Sequence, residues 1–282
     1  KLAALLLGSG EDLDAAWGVA NAKGPRLPLV LVPTTAGTGS EVTPVSIITV
    51  GEEEKRGVSS PVILPDIAVL DAELTLGLPP AITAATGVDA MVHAIEAYAS
   101  KSANNNPVSK LLAREALRLL GANIETAVMD GTDVEARGAM LLGSMLAGQA
   151  FANSPVAAVH ALAYPIGGTF HIPHGLSNAL VLPHVLRFNA PEAYALYADI
   201  AADAFPHLSE VEGAQARCAA FIEALADLAV ELEMPVRLRD VSIPENALAK
   251  MASDAMLQQR LLVNNPRQVT EADALAIYRA AW

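Results

Sequence analysis

Apolar positions in this chain follow two different patterns, and the change between them falls near residue 80. Upstream, short apolar runs are separated by turn residues. Leu29-Val30-Leu31-Val32, held between Pro28 and Pro33, predicts a buried strand. The β-branched stretch Val45 to Val50 predicts a second strand, Gly51 to Lys55 a turn, and Ile67 to Leu70 a third strand ended by Asp71. The chain opens on an apolar helical segment carrying Leu2, Leu5 and Leu6. After Pro79-Pro80 the helical period takes over, over roughly 81–99, 107–126, 132–150, 155–164, 175–188, 192–204, 211–231, 245–258 and 270–281. No internal repeat is visible. The pattern predicts a mixed α/β unit over 1–80, the remnant of a larger one, followed by an all-helical domain over 81–282.

Composition narrows the classes open to such a chain. Hydrophobic residues make up 52% and charged residues 17%, which excludes intrinsic disorder. With 18 basic and 31 acidic side chains the formal charge is −13, so neither nucleic acid nor an anionic membrane is expected as a partner. Cys218 is the sole cysteine, which rules out an intramolecular disulfide and suits a reducing cytoplasm. From Gly138 to Leu186 there is no Asp, Glu, Lys or Arg. Gln149, Asn153, Ser154, Pro155 and His160 break that run well before the roughly 20 apolar residues a membrane span needs. It reads as dry protein core, and no signal-peptide pattern is visible.

Two features carry candidate chemistry. Asp89 and His93 lie four residues apart in a segment that is apolar nearly all round, which implies a buried helix with both side chains on one face. A carboxylate stripped of water needs a partner or a metal ion. The charge-free stretch holds four of the six histidines: His160, His171, His174 and His184. Asp89, His93, His160 and His174 together would offer one carboxylate and three neutral imidazoles to a divalent ion. The second feature is the loop Pro33-Thr34-Thr35-Ala36-Gly37-Thr38-Gly39-Ser40-Glu41-Val42-Thr43 after a predicted strand. Hydroxyls and glycine-exposed N–H groups at a strand end suit nucleotide phosphates and sugars, although the GxGxxG fingerprint is absent. Serine-hydrolase chemistry lacks a G-x-S-x-G elbow, and Cys218 fits ordinary helix packing.

These residues, taken in order, resemble the iron-dependent (group III) alcohol dehydrogenase family over essentially the whole chain. The resemblance rests on the Pro33–Thr43 loop, the segment Gly87 to Glu96, and the run His160-Ala161-Leu162-Ala163-Tyr164-Pro165-Ile166-Gly167-Gly168. It extends to Pro173-His174-Gly175, Leu182-Pro183-His184, Asn264-Asn265-Pro266-Arg267 and Thr270-Glu271-Ala272-Asp273. It implies a dehydroquinate synthase-like fold with a nucleotide-binding α/β domain and a helical metal domain. The implied activity is NAD(P)-linked interconversion of small alcohols with aldehydes or ketones by hydride transfer. Asp89, His93, His160 and His174 are then the metal ligands. Thr34, Thr35, Thr38 and Thr43 line the dinucleotide, and Lys55 bonds its ribose. The ion is Fe(II), with Zn(II) an alternative occupant of the isolated protein on Irving–Williams grounds.

Two departures from the family accompany the match. Many relatives place a further histidine one turn after the third ligand, where this chain has Tyr164, a poor proton shuttle near neutral pH. Family members also have strand–helix units and a Gly-Gly-Gly-Ser pyrophosphate turn ahead of the position matching Lys1. A truncated α/β unit should expose strand edges and self-associate, and a homo-oligomer, most simply a dimer, is expected. The alternative expectation is a metal-binding helical module that no longer binds the dinucleotide productively. A sugar-phosphate substrate is disfavoured, because no basic cluster is apparent near the histidines.

Overall fold

The computed structural model describes residues 1–51 and 54–282, and the side chains of Glu54 and Lys55 lie outside the described residues. The chain begins with helices α1 (Leu2–Ser9) and α2 (Leu13–Ala16). Among the described residues five short strands follow: β1 (Gly18–Val19), β2 (Val30–Leu31), β3 (Val45–Val50), β4 (Glu54–Ser59) and β5 (Ile67–Ala68). Strand β4 pairs parallel with β1 and antiparallel with β3, where Val45 faces Ser59 and Val50 faces Glu54. Strands β2 and β5 form a separate parallel pair, with Val30 opposite Ile67. Leu5, Ala16, Trp17, Ala22, Val58 and Ile63 make a small core beneath these elements.

Beyond residue 79 the described chain is helical: α3 (Pro80–Ala99), α4 (Pro107–Met129), α5 (Val134–Asn153), α6 (Ala158–Phe170), α7 (His174–Ala204), α8 (Ala214–Glu231), α9 (Leu248–Ala255), α10 (Gln259–Leu262) and α11 (Glu271–Ala281). Local chemistry sets these boundaries. Asn106 accepts hydrogen bonds from the N–H groups of Val108 and Ser109 and so starts α4, and Asp133 does the same for Ala136 in α5. Thr270 and Asp273 form a capping box at α11. Helix α3 is central. From Gly87 to Ala99 every residue is buried, because α4, α5 and α7 all pack against it.

Three expectations need correction. The turn at Gly51–Lys55 ends earlier than expected, since Glu54 and Lys55 already belong to β4, whose polar sequence carried little strand signal. The pattern also predicts two helices over 175–188 and 192–204, whereas α7 runs unbroken for 31 residues with Pro183 and Pro191 inside it. A proline removes one helical hydrogen bond. Burial of Leu182, Val185, Leu186, Ala193 and Tyr197 on either side offsets that loss. Finally, the Leu29–Val32 run expected to form a buried strand is largely exposed, with Val30 at 53% and Val32 near two-fifths, and its partner strand is exposed as well, with Ile67 at 55%. Among the described residues strands β2 and β5 pair with each other alone, so the outer edge of each is left open. No helix among the described residues is long and apolar enough to cross a membrane.

Candidate metal centre

Helix α3 presents Asp89 and His93 one turn apart on a single buried face. Helix α6 brings His160 against them, and the first residue of α7 is His174. The rings of His93 and His160 stack at 4.7 Å, and those of His160 and His174 lie 5.3 Å apart. One donor atom from each of these four residues falls within 4.8 Å of all the others. Asp89 Oδ1 is 3.9 Å from His160 Nε2 and 3.7 Å from His174 Nε2. Around a tetrahedral ion with bonds of about 2.1 Å, neighbouring donors stand about 3.4 Å apart. The observed separations are close to that value.

The other nitrogens of two rings are already engaged. His93 Nδ1 donates to the carbonyl of Gly37 at 3.1 Å, and His160 Nδ1 bonds Glu96 Oε2 at 2.7 Å. Each ring therefore carries its proton on Nδ1 and turns the lone pair of Nε2 to the centre, as a metal-ligating histidine does. Glu96 is itself buried and fixed, because its Oε1 accepts the N–H of Val159 at 2.7 Å. Burial alone would push the Asp89 carboxyl upward, but the surrounding imidazoles and the Asn178 amide outweigh it and hold it below the usual range. Burial drives His93 down to about 3, against the pull of Asp89, so this imidazole stays neutral.

The centre is short of hydrogen-bond donors. Asn178 Nδ2 lies 2.6 Å from Asp89 Oδ1 and 3.3 Å from Nε2 of both His160 and His174. Its two hydrogens cannot satisfy three acceptors, and Asn178 Oδ1, also buried, has no partner. Buried acceptor atoms of Asp89, His93 and His160 turned toward one point are what a cation satisfies. The residues fit a divalent ion.

Access to this centre is one-sided. Asp89, His93 and His160 are 2–5% exposed, whereas the His174 side chain is 46% exposed. Phe151 stacks on His93 at 4.5 Å and closes one flank. On the open flank the Tyr164 ring lies 6.4 Å from that of His174, and Arg260 donates from Nη2 to the Tyr164 hydroxyl at 3.1 Å. His171 caps the end of α6, exposed, and His184 sits farther along α7; neither is part of the cluster.

The Thr-rich loop reaches the centre through Gly37. Gly39, at φ +54, packs so tightly on α5 that an added Cβ would lie 2.6 Å from Gly148 Cα, so only glycine permits this approach. Thr34 and Thr38 are exposed and Thr35 is half-buried. Thr43 is 2% exposed, its hydroxyl donating to the Ser40 carbonyl at 3.3 Å. The Lys55 side chain lies outside the described residues. Sequence reasoning assigned no role to Glu96, Phe151, Asn178 or Arg260. Glu96 stands inside a quoted motif, but its bond to His160 spans 64 residues and no local spacing signals it.

Comparison with known proteins agrees with this architecture. The family model described as Fe-containing alcohol dehydrogenase family, C-terminal, matches residues 83–282, and that described as iron-containing alcohol dehydrogenase matches residues 1–72. Long-chain-alcohol dehydrogenase 1 of Geobacillus thermodenitrificans is 44% identical, over all of this chain and 71% of its own length. A crystal structure of 1,3-propanediol oxidoreductase superposes with a TM-score of 0.93 at 37% identity, covering 99% of this chain and 72% of that one. Sulfoacetaldehyde reductase from Bifidobacterium kashiwanohense, solved in complex with NAD+, superposes with a TM-score of 0.79 at 31% identity, covering 91% of this chain and 65% of the other. With both family models matched in order and the shared fold carrying a buried Asp–His–His–His cluster, the chain belongs to the iron-containing alcohol dehydrogenase family.

Proposed function

We propose that this chain carries the catalytic centre of a metal-dependent, NAD(P)-linked oxidoreductase that interconverts small alcohols with aldehydes or ketones. The observation that carries the proposal is the convergence of one donor atom each from Asp89, His93, His160 and His174. These four side chains would hold the ion, Fe(II) in the active form and Zn(II) as a competing occupant. When bound, the ion supplies Lewis acidity that favours the deprotonated form of an alcohol. Glu96 and the Gly37 carbonyl keep two imidazoles in the ligating tautomer. The Gly37–His93 bond also ties the Thr-rich loop to a ligand, which sets the spacing between a dinucleotide on that loop and the centre. Phe151 excludes water from the His93 flank. On the open flank Tyr164 retains an O–H that can be donated to a substrate oxygen while its lone pair accepts from Arg260.

Residues 1–80 would act as the partial nucleotide-binding domain and 81–282 as the helical catalytic domain. Thr34, Thr35 and Thr38 would meet the dinucleotide, Thr43 would shape their loop from beneath, and Lys55 would bond the ribose. A cytoplasmic homodimer is the assembly proposed, supported by the exposed apolar faces of β2 and β5. The test is titration of the metal-loaded chain with NADH, followed by fluorescence, with turnover of a small aldehyde. Saturable binding with turnover supports the proposal. Stoichiometric metal with no dinucleotide binding and no turnover would leave the metal-binding helical module in its place.

A further inference from the structure

Arg260 stands where a substrate must pass. Three of the four cluster residues are sealed, so approach is confined to the side of His174, and Tyr164 borders that side. The guanidinium of Arg260 lies 6.0 Å from the Tyr164 ring centre, with Nη2 bonded to the phenol oxygen. Arg26, Arg114, Arg118, Arg187 and Arg237 each find a carboxylate, in a chain with far more acid than base. Arg260, like Arg137, Arg217, Arg239 and Arg279, has no carboxylate within ion-pair distance among the described residues; what sets it apart is its exposed place at the open flank, bonded to Tyr164. One donor is spent on a neutral hydroxyl. The remaining N–H groups of its planar fork are left for a ligand, and such a fork matches an oxoanion bidentately. A cation at this mouth also counters the repulsion that a net charge of −13 imposes on an anionic substrate.

We propose that Arg260, steadied by Tyr164, is an anion-binding specificity residue, and that the substrates of this centre are short aldehydes or alcohols bearing an oxoanion, such as a carboxylate, a few bonds from the reacting carbon. This rests on the oxidoreductase function proposed above. The reacting oxygen would be directed to the cluster and the anionic end to the guanidinium, so that Arg260 fixes the orientation in which the substrate enters. No change in the hydride chemistry is required.

The test compares succinic semialdehyde with pentanal, its neutral counterpart of similar length, in the metal-loaded full chain with reduced nicotinamide. The expected result is a kcat/KM ratio favouring the anion by at least about tenfold. In Arg260→Gln that ratio should collapse toward unity, chiefly through KM for the anion. Butyrate and butanamide, neither of which can be reduced here, give a readout without turnover. Calorimetry should show butyrate binding that weakens at least about tenfold in Arg260→Gln, with butanamide weak throughout. Turnover of pentanal without preference for the anion, or a ratio untouched by Arg260→Gln, overturns the proposal and leaves the oxidoreductase intact. Turnover of neither aldehyde overturns the oxidoreductase function instead. The butyrate titration then decides for Arg260 alone, since binding unchanged by Arg260→Gln places the carboxylate elsewhere.

Discussion

Adding one methyl group at Gly175 should cost this protein its metal centre before it costs the fold. Gly175 follows His174 in the first turn of α7, where that turn presses on α3. A Cβ built there would lie 2.2 Å from the Ala85 carbonyl oxygen, 2.7 Å from its carbon and 3.2 Å from Asp89 Cβ. Ordinary contact needs about 3.5 Å, so in Gly175→Ala the first turn of α7 must retreat from α3 by about 1 Å. Overpacking of this kind costs about 1–3 kcal/mol in stability. Ligand geometry is far less forgiving, because metal–donor distances tolerate only about 0.2 Å. His174 Nε2 stands 3.7 Å from Asp89 Oδ1, and the retreat acts on that separation. The matched control is Gly121→Ala, whose Cβ would meet the Ala204 carbonyl oxygen at 2.1 Å, at the far end of α7 from the cluster. Both variants should melt below the parent chain by comparable amounts. Metal affinity, measured by competition with a chromophoric chelator, should fall at least about tenfold in Gly175→Ala and stay near the parent value in Gly121→Ala. Equal losses of metal in both variants, or none in either, would refute the reasoning.

Three further outcomes follow from other contacts. Glu96→Gln leaves one acceptor for two donors, Val159 N–H and His160 Nδ1–H, and should weaken metal binding roughly 10–100-fold by the same competition assay. Asn265→Ala leaves buried Asn189 Oδ1 without its 2.7 Å donor and removes the 3.0 Å acceptor of Asn189 Nδ2, which keeps its bond to Tyr197, and should lower the free energy of urea unfolding by about 1–3 kcal/mol. Burial, helped by the Arg187 charge and opposed by Glu223, lowers His184 to about 4 from its ordinary 6.5. The unfolded chain therefore binds this proton first as pH falls, so stability present above pH 6.5 is lost progressively down to about 4. His184→Gln should flatten the melting-temperature profile across that window, and an unchanged slope would contradict the assignment.

The parts of this molecule that were legible in the sequence are those whose signal is local. The i, i+4 spacing of Asp89 and His93 within an apolar helix announced a shared buried face, and the charge-free stretch announced the dry core around His160, although His174 farther along it is half exposed. The helical period from residue 81 onward survived into the structure because burial against neighbouring helices enforces it: α4, α5 and α7 on α3, α6, α8 and α11 on α7, and α9 on α6 and α11. What stayed hidden depends on contacts between distant segments. Strand β4 reads Glu-Lys-Arg-Gly-Val-Ser, and only pairing with β1 and β3 makes it a strand. The continuity of α7 through Pro191 comes from packing, against a local rule that would end it. Glu96, Asn178 and Arg260 acquire their places at the centre through partners 64, 89 and 96 residues away. Likewise, the exposure of Val30 and Ile67 reflects which neighbours a strand has, information that its own apolar sequence does not carry.

The most direct test of the account is a crystal of the metal-loaded chain measured on both sides of the iron and zinc absorption edges. The account predicts one anomalous peak bonded to Asp89, His93, His160 and His174, lost in His174→Ala. A protein that reduces aldehydes with no ion at that position, or with its ion held elsewhere, would contradict it.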